Sequence, residues 1–250
     1  MPEIIVRQET AHYMLRGEGE QTLVFVHGAG GNSLHWVEME PPSGWRLVAV
    51  DLPGHGKSGG SAKSNVFAYA DWVADFIRAI GGCTALAGHS MGGAITMALA
   101  LSCPELVRGL ILVGTGAKLG VSPVILDLCR TGIAARVEDQ LANMAYGPLP
   151  SREQIREWYQ MFGQATCHAY LMDFTACNRF DIRERLGEIS HPTLIACGKD
   201  DRLTPFKYSE YLLAHLPNAQ LTGIEDAGHM VMMEQPTQLN HSIKSFCESL

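Results

Sequence analysis

Apolar residues along this chain fall into short β-rich runs separated by longer stretches with helical spacing. Residues 22–27 (TLVFVH), 46–51 (RLVAVD) and 84–89 (TALAGH) are each short, apolar and closed by His or Asp. Residues 109–114 and 192–197 repeat the pattern, and 219–224 read as a last strand. Short buried strands alternating with helical patterns favour a parallel sheet joined by crossover helices. The opening residues, including 12–16, add antiparallel strands at one edge. Between these runs, Val66, Tyr69, Val73, Phe76, Ile77 and Ile80 lie on one helical face, with Asn65 placed as an N-cap. Residues 91–101 are apolar almost all round, as in a helix covered on most sides. Behind Pro236, Leu239, Ile243 and Phe246 mark a final helix.

From 117 to 188 this rhythm stops. The segment reads as helices rich in Met, aromatic and charged residues, broken by Gly132, Gly147, Pro148, Pro150 and Gly163. It is too long for a loop. The expected organisation is a sheet domain of residues 1–116 and 189–250, with a helical cap of 117–188 inserted between two strands. No internal repeat or low-complexity stretch interrupts it.

Composition narrows the classes. At 250 residues, 46% hydrophobic and 18% charged, the chain suits one large core with an insertion and not a disordered polymer. Its net charge of −7 is scattered, without the Lys/Arg run that would hold nucleic-acid phosphates. Residues 1–10 mix Glu3, Arg7 and Glu9 with a short apolar run, unlike a secretory signal, and no later stretch reaches membrane-spanning length. The seven cysteines are dispersed, with no CxxC pair, and read as reduced thiols. A cytoplasmic protein without nucleic-acid or membrane partners is expected. Asp71 and Asp75 share a helical face but lack His or Cys neighbours, so they read as a solvated face. No metal and no cofactor are expected, and the oligomeric state is left open.

The chemistry concentrates at Gly88-His89-Ser90-Met91-Gly92, a GxSxG directly after a strand and directly before a helix. There the chain must reverse within a few residues, and the small flanking residues let the backbone crowd around Ser90. The other reading of Ser90 is a simple helix cap. A nucleophilic serine needs a neutral imidazole in reach. His229, in the Asp226-Ala-Gly-His-Met230 loop, competes with His89 and His55 among ten histidines. A carboxylate must orient that imidazole, and Asp200 and Asp201 both follow the strand at 192–197.

Together with His27-Gly28-Ala29-Gly30-Gly31 and the Asp51–Ser58 loop (DLPGHGKS), these pieces closely resemble the α/β-hydrolase family over about 20–115 and 190–247. The resemblance implies an α/β fold with a mostly parallel central sheet, helices on both faces and an inserted helical cap. It implies Ser90 as nucleophile, His229 as base and Asp201, four residues before Pro205, as the acid. The same pattern gives the oxyanion hole to the backbone N–H groups of Ala29 and Met91, and leaves His27, Trp36 and His55 structural roles. Epoxide- and halide-processing members carry a carboxylate where Ser90 stands, so acyl transfer to water is the expected reaction. A small-molecule carboxylic ester or lactone is the expected substrate.

Four alternatives stay open. Carbon–carbon bond hydrolases of ring-cleavage products usually carry Asn where His89 stands, although a cap Arg such as Arg179 is in their favour. A perhydrolase or haloperoxidase uses the same three residues. An acyltransferase and a ligand-binding receptor share the fold. Met144, Trp158, Phe162 and Met230 are the candidate substrate contacts, alongside Tyr146, Tyr159, Met161, Tyr170, Met172 and Phe174; the plainer reading is that most of them pack the cap.

Overall fold

Eight strands hydrogen-bond in the order β1-β2-β4-β3-β5-β6-β7-β8 in this computed structural model, which describes residues 2–162 and 165–250. Gly163, expected to break a cap helix, lies outside the described residues. β1 (Glu3–Val6) and β2 (Glu9–Arg16) form an antiparallel hairpin, and β2 runs antiparallel to β4 (Trp45–Val50). All other neighbours, from β4 through β3 (Gln21–Val26), β5 (Ala85–His89), β6 (Gly109–Val113) and β7 (Thr193–Gly198) to β8 (Ala219–Ile224), are parallel.

Alternation along the strands divides the core. Val24, Val26, Val48, Val50, Leu86, Leu110 and Leu112 face one side, where α1 (Val66–Ala79), α2 (Met91–Ser102) and α7 (Phe206–His215) cover them. Leu23, Phe25, Leu47, Ala49, Ile111 and Val113 face the other, under the short α8 (Val231–Glu234) and α9 (Pro236–Cys247). Helices on both faces explain why the central strands read as continuous apolar runs and not as alternating ones. Asn65 caps α1 as expected, its side-chain oxygen accepting from the N–H groups of Phe67 and Ala68.

Between β6 and β7 the chain leaves the sheet and forms α3 (Pro123–Arg130), α4 (Ala134–Ala145), α5 (Arg152–Phe162), α6 (Cys167–Arg179) and a 3-10 turn at Arg183–Glu188. Ile125, Cys129, Val137 and Tyr170 make a small apolar cluster there. Tyr146 and Phe162 join the core on the α9 side of the sheet, and Ala176 and Cys177 the core on the other. Among the described residues no helix is long and apolar enough to cross a membrane.

Candidate active site

The turn from β5 into α2 is built by close backbone approach. A side chain at Gly88 would sit 2.1 Å from the Gly92 carbonyl oxygen, and one at Gly92 would sit 2.2 Å from that of Val26. No side chain fits at such distances, so the two glycines flanking Ser90 are steric requirements. Ser90 takes φ +53° and ψ −114°, a costly conformation for a non-glycine residue. Its N–H donates to the Val113 carbonyl, and its own carbonyl accepts from the Thr115 hydroxyl. Those bonds hold the residue at the N-terminus of α2, whose first N–H groups have no partner within the helix.

Opposite stands His229, 5% exposed, with Nδ1 2.9 Å from Asp201 Oδ2. Asp201 is also buried, whereas Asp200 is exposed. Its Oδ1 accepts from the N–H groups of Leu203 and Thr204, and the Thr204 hydroxyl donates to Oδ2 at 2.7 Å. Burial alone would raise the Asp201 pKa, but the His229 imidazole and these donors hold it below the ordinary carboxylate value. An imidazole that donates Nδ1–H to Asp201 has Nε2 left as its basic nitrogen.

His89 is occupied elsewhere. Its Nε2 donates to the His229 carbonyl at 3.0 Å, and the two rings lie 4.5 Å apart. Burial, with the nearby His229, keeps His89 well below the usual histidine range. A side chain at Gly28 would lie 2.9 Å from its Nδ1, so glycine is needed there too. His27 donates through Nδ1 to the Gly28 carbonyl and accepts at Nε2 from the Leu52 N–H, which bolts the loop after β3 to the loop after β4. Trp36 is fully buried against Phe25.

A cavity of about 250 Å³ joins these parts, lined by Ala29, Ser90 and His229 below and by helices of the insertion above. Of the expected contacts, Met144, Phe162 and Met230 line it, and so do Tyr146, Tyr159, Tyr170 and Phe174. Trp158, Met161 and Met172 are not among the lining residues; the Trp158 ring stacks on Tyr146 at 5.6 Å, turned one position round α5 from Tyr159. Arg179 is exposed at the end of α6 and does not line the cavity, whereas Arg202, bonded to the Tyr146 carbonyl, does.

Sequence reasoning missed several polar residues here. Thr204 and the cavity-lining His35 carried no motif. Glu234 binds the N–H groups of Gly147, Gly228 and Met230 through its carboxylate, fixing the His229 loop to the end of α4. Cys197, Cys83 and Cys247 make poor rival nucleophiles: burial pushes the Cys197 thiol up to about 12, and those of Cys83 and Cys247 likewise. Among the described residues, no group of His, Cys, Asp and Glu is arranged to hold a metal ion.

The sequence profile of the alpha/beta hydrolase family matches residues 23–241, and the chain belongs to that family. It is 29% identical to a 2-hydroxy-6-oxononadienedioate/2-hydroxy-6-oxononatrienedioate hydrolase of Burkholderia vietnamiensis, covering 94% of this chain and 90% of that one. At the same identity it matches the dihydrolipoyllysine-residue acetyltransferase component of an acetoin cleaving system from Pseudomonas putida, over 94% of this chain but only 65% of that protein's length. A thermophilic esterase superposes with a TM-score of 0.86 at 30% identity, covering 99% of this chain and 97% of the other. Family membership thus defines a hydrolase fold, while the bond cleaved differs from relative to relative.

Proposed function

We propose that this protein hydrolyses carboxylic esters or small lactones through an acyl-enzyme on Ser90. The observation carrying this reading is the buried Asp201–His229 pair, with His229 lining the same cavity as Ser90 at its strained elbow. In the first step His229 Nε2 takes the Ser90 proton as Oγ bonds to the substrate carbonyl carbon. The carbonyl π pair moves to oxygen, and the Ala29 and Met91 N–H groups stabilise that oxyanion. When it collapses, the alcohol leaves with the proton from His229 and the acyl group stays on Ser90. Water then repeats the cycle, giving its proton to His229 and its oxygen to the acid. Asp201 holds the imidazole tautomer throughout and stabilises its charged form.

The cavity's mainly apolar lining favours a medium-sized acyl or aromatic ester. A second reading, carbon–carbon cleavage of a ring-fission product, draws on the kinship with the Burkholderia hydrolase and on Arg202, a cation at the cavity suited to a substrate carboxylate. Against it stands His89 in place of Asn. Turnover of p-nitrophenyl acetate and butyrate, γ-lactones and a ring-fission dienoate by the wild type and Ser90→Ala separates the two. Ester or lactone turnover lost in Ser90→Ala supports the proposal; turnover of the dienoate alone contradicts it.

A further inference from the structure

Asp173 lies in the middle of α6, within the segment expected to form a helical cap, and is fully buried. Its carboxylate faces the sheet domain. Oδ2 accepts from the Gly30 backbone N–H at 2.8 Å and lies 2.8 Å from His55 Nε2, while Oδ1 accepts from the Tyr69 hydroxyl at 2.6 Å. His55 Nδ1 points at the Pro53 carbonyl, 3.1 Å away. Both ring nitrogens therefore face acceptors, and only the doubly protonated imidazolium satisfies both. The Asp173 charge accordingly raises the His55 pKa against the opposing effect of burial.

Gly30 directly follows Ala29. The Gly31 N–H closes a turn onto the Gly28 carbonyl, and Gly30 takes φ +65° at the third position, as a type II turn requires. In such a turn the Ala29–Gly30 peptide can flip between two orientations, changing ψ of Ala29 and φ of Gly30. An acceptor fixed on the Gly30 N–H selects one of them, and with the Gly31-to-Gly28 bond it anchors the turn on both sides of Ala29, whose own N–H belongs to the preceding Gly28–Ala29 peptide. The neighbouring α6 residue Tyr170 fills the space a Gly30 side chain would need, at 2.0 Å, so the helix also presses on the turn sterically. Tyr170, Phe174 and Cys177 of α6 line the cavity, so the face that carries Asp173 also roofs the substrate.

We infer that Asp173 is a positioning residue for the reaction: by anchoring the turn at Gly30 it keeps Ala29, and with it the N–H of the Gly28–Ala29 peptide, in register with the oxyanion, making α6 a support of the oxyanion hole. This rests on the hydrolytic reading of Ser90. The carboxylate touches no substrate and acts only through the turn it anchors. Because misplacing one preorganised donor costs rate and not ground-state binding, its loss should appear in kcat.

Asp173→Ala and Asp173→Asn, assayed on the best ester with active sites counted by fluorophosphonate titration, test this. Expected for Asp173→Ala is a fall in kcat per active site of roughly 10- to 100-fold with KM within about threefold. Affinity for a trifluoromethyl ketone, which mimics the oxyanion, should weaken in step with kcat/KM. Asp173→Asn, whose amide oxygen can still accept from Gly30, should recover part of the loss. Tyr69→Phe removes a donor to Asp173 without touching the Gly30 bond and should lower Tm with kcat nearly unchanged. Should the orphaned His55 prevent Asp173→Ala from folding, Asp173→Ala with His55→Leu removes that charge and is expected to show the same fall in kcat. Wild-type kcat per active site in whichever alanine variant folds, with only the folded fraction reduced, would overturn the inference. An inactive wild type would instead bring down the hydrolytic reading and this inference with it.

Discussion

Two helices close the cavity from above, α5 and α6, and they are held in different ways. Among the described residues α5 buries only Phe162; Met161 is 53% exposed, and the Asn32 side chain donates to the Phe162 carbonyl. α6 buries Ala169, Tyr170, Asp173, Ala176 and Cys177 and is tied through Asp173 to three elements of the sheet domain. A buried carboxylate with every partner in place is costly to move, whereas an amphipathic helix resting on aromatic rings repacks cheaply. If Ser90 is the nucleophile, α6 braces the chemical groups and α5 encloses the substrate. Changes on the braced side should alter rate, and changes on α5 should alter preference.

The largest effect belongs at the braced floor itself. Ser90→Ala should lower ester kcat by about 10⁴-fold or more without unfolding the protein, measured by steady-state turnover with a matched Tm. Asp201→Asn should follow at about 10³-fold, since an amide no longer selects the tautomer that leaves Nε2 free. Thr204, which contacts both Asp201 and His229, keeps some of that order in place.

Acid should likewise strike the floor first. Burial lowers the pKa of His27 to about 3 and that of His35 to about 4, and holds His89 well below 6.5, while His55 is raised and stays charged. Below about pH 6 the unfolded chain takes up protons on His27, His35 and His89 that the folded chain resists, so stability should fall steadily as pH drops from 6 towards 4.5, measured by urea unfolding. His55 has the opposite sign: its contribution is complete below pH 6.5 and fades as pH rises through its raised folded value. That alkaline fading should vanish in Asp173→Asn. A flat profile between pH 6 and 4.5 would mean the buried histidines already carry charge.

Smaller effects are expected on α5. Tyr159→Phe or Phe162→Leu should change kcat less than tenfold while shifting the acetate-to-butyrate preference, since apolar pocket contacts discriminate by only ~1–3 kcal/mol. Leu149→Ser, at a position 59% exposed between α4 and α5, should change stability by less than about 0.5 kcal/mol.

Legibility in the sequence follows the same division. Strands buried on both faces announce themselves as apolar runs, and the glycines around Ser90 are visible because local backbone crowding forces them. The β1–β2 hairpin was less plain: its turn uses Arg7 and Gln8 at positive φ, with none of the Asn-Gly signal that usually marks one. Trp158 was a reasonable cavity candidate, but a helix rotates about 100° per residue and Tyr159 faces inward instead. Asp173 was out of reach for a different reason. Its partner His55 lies 118 residues away, and a lone acid within an amphipathic helix reads as solvated until the fold turns that face inward.

Transient chemistry at Ser90 offers the most direct check on the whole account. Wild-type protein mixed with p-nitrophenyl butyrate, acid-quenched within one turnover and digested, should carry a butyryl group on the peptide containing Ser90, and Ser90→Ala should carry none. The acyl group on a cysteine, or equal turnover in the two proteins, would contradict it.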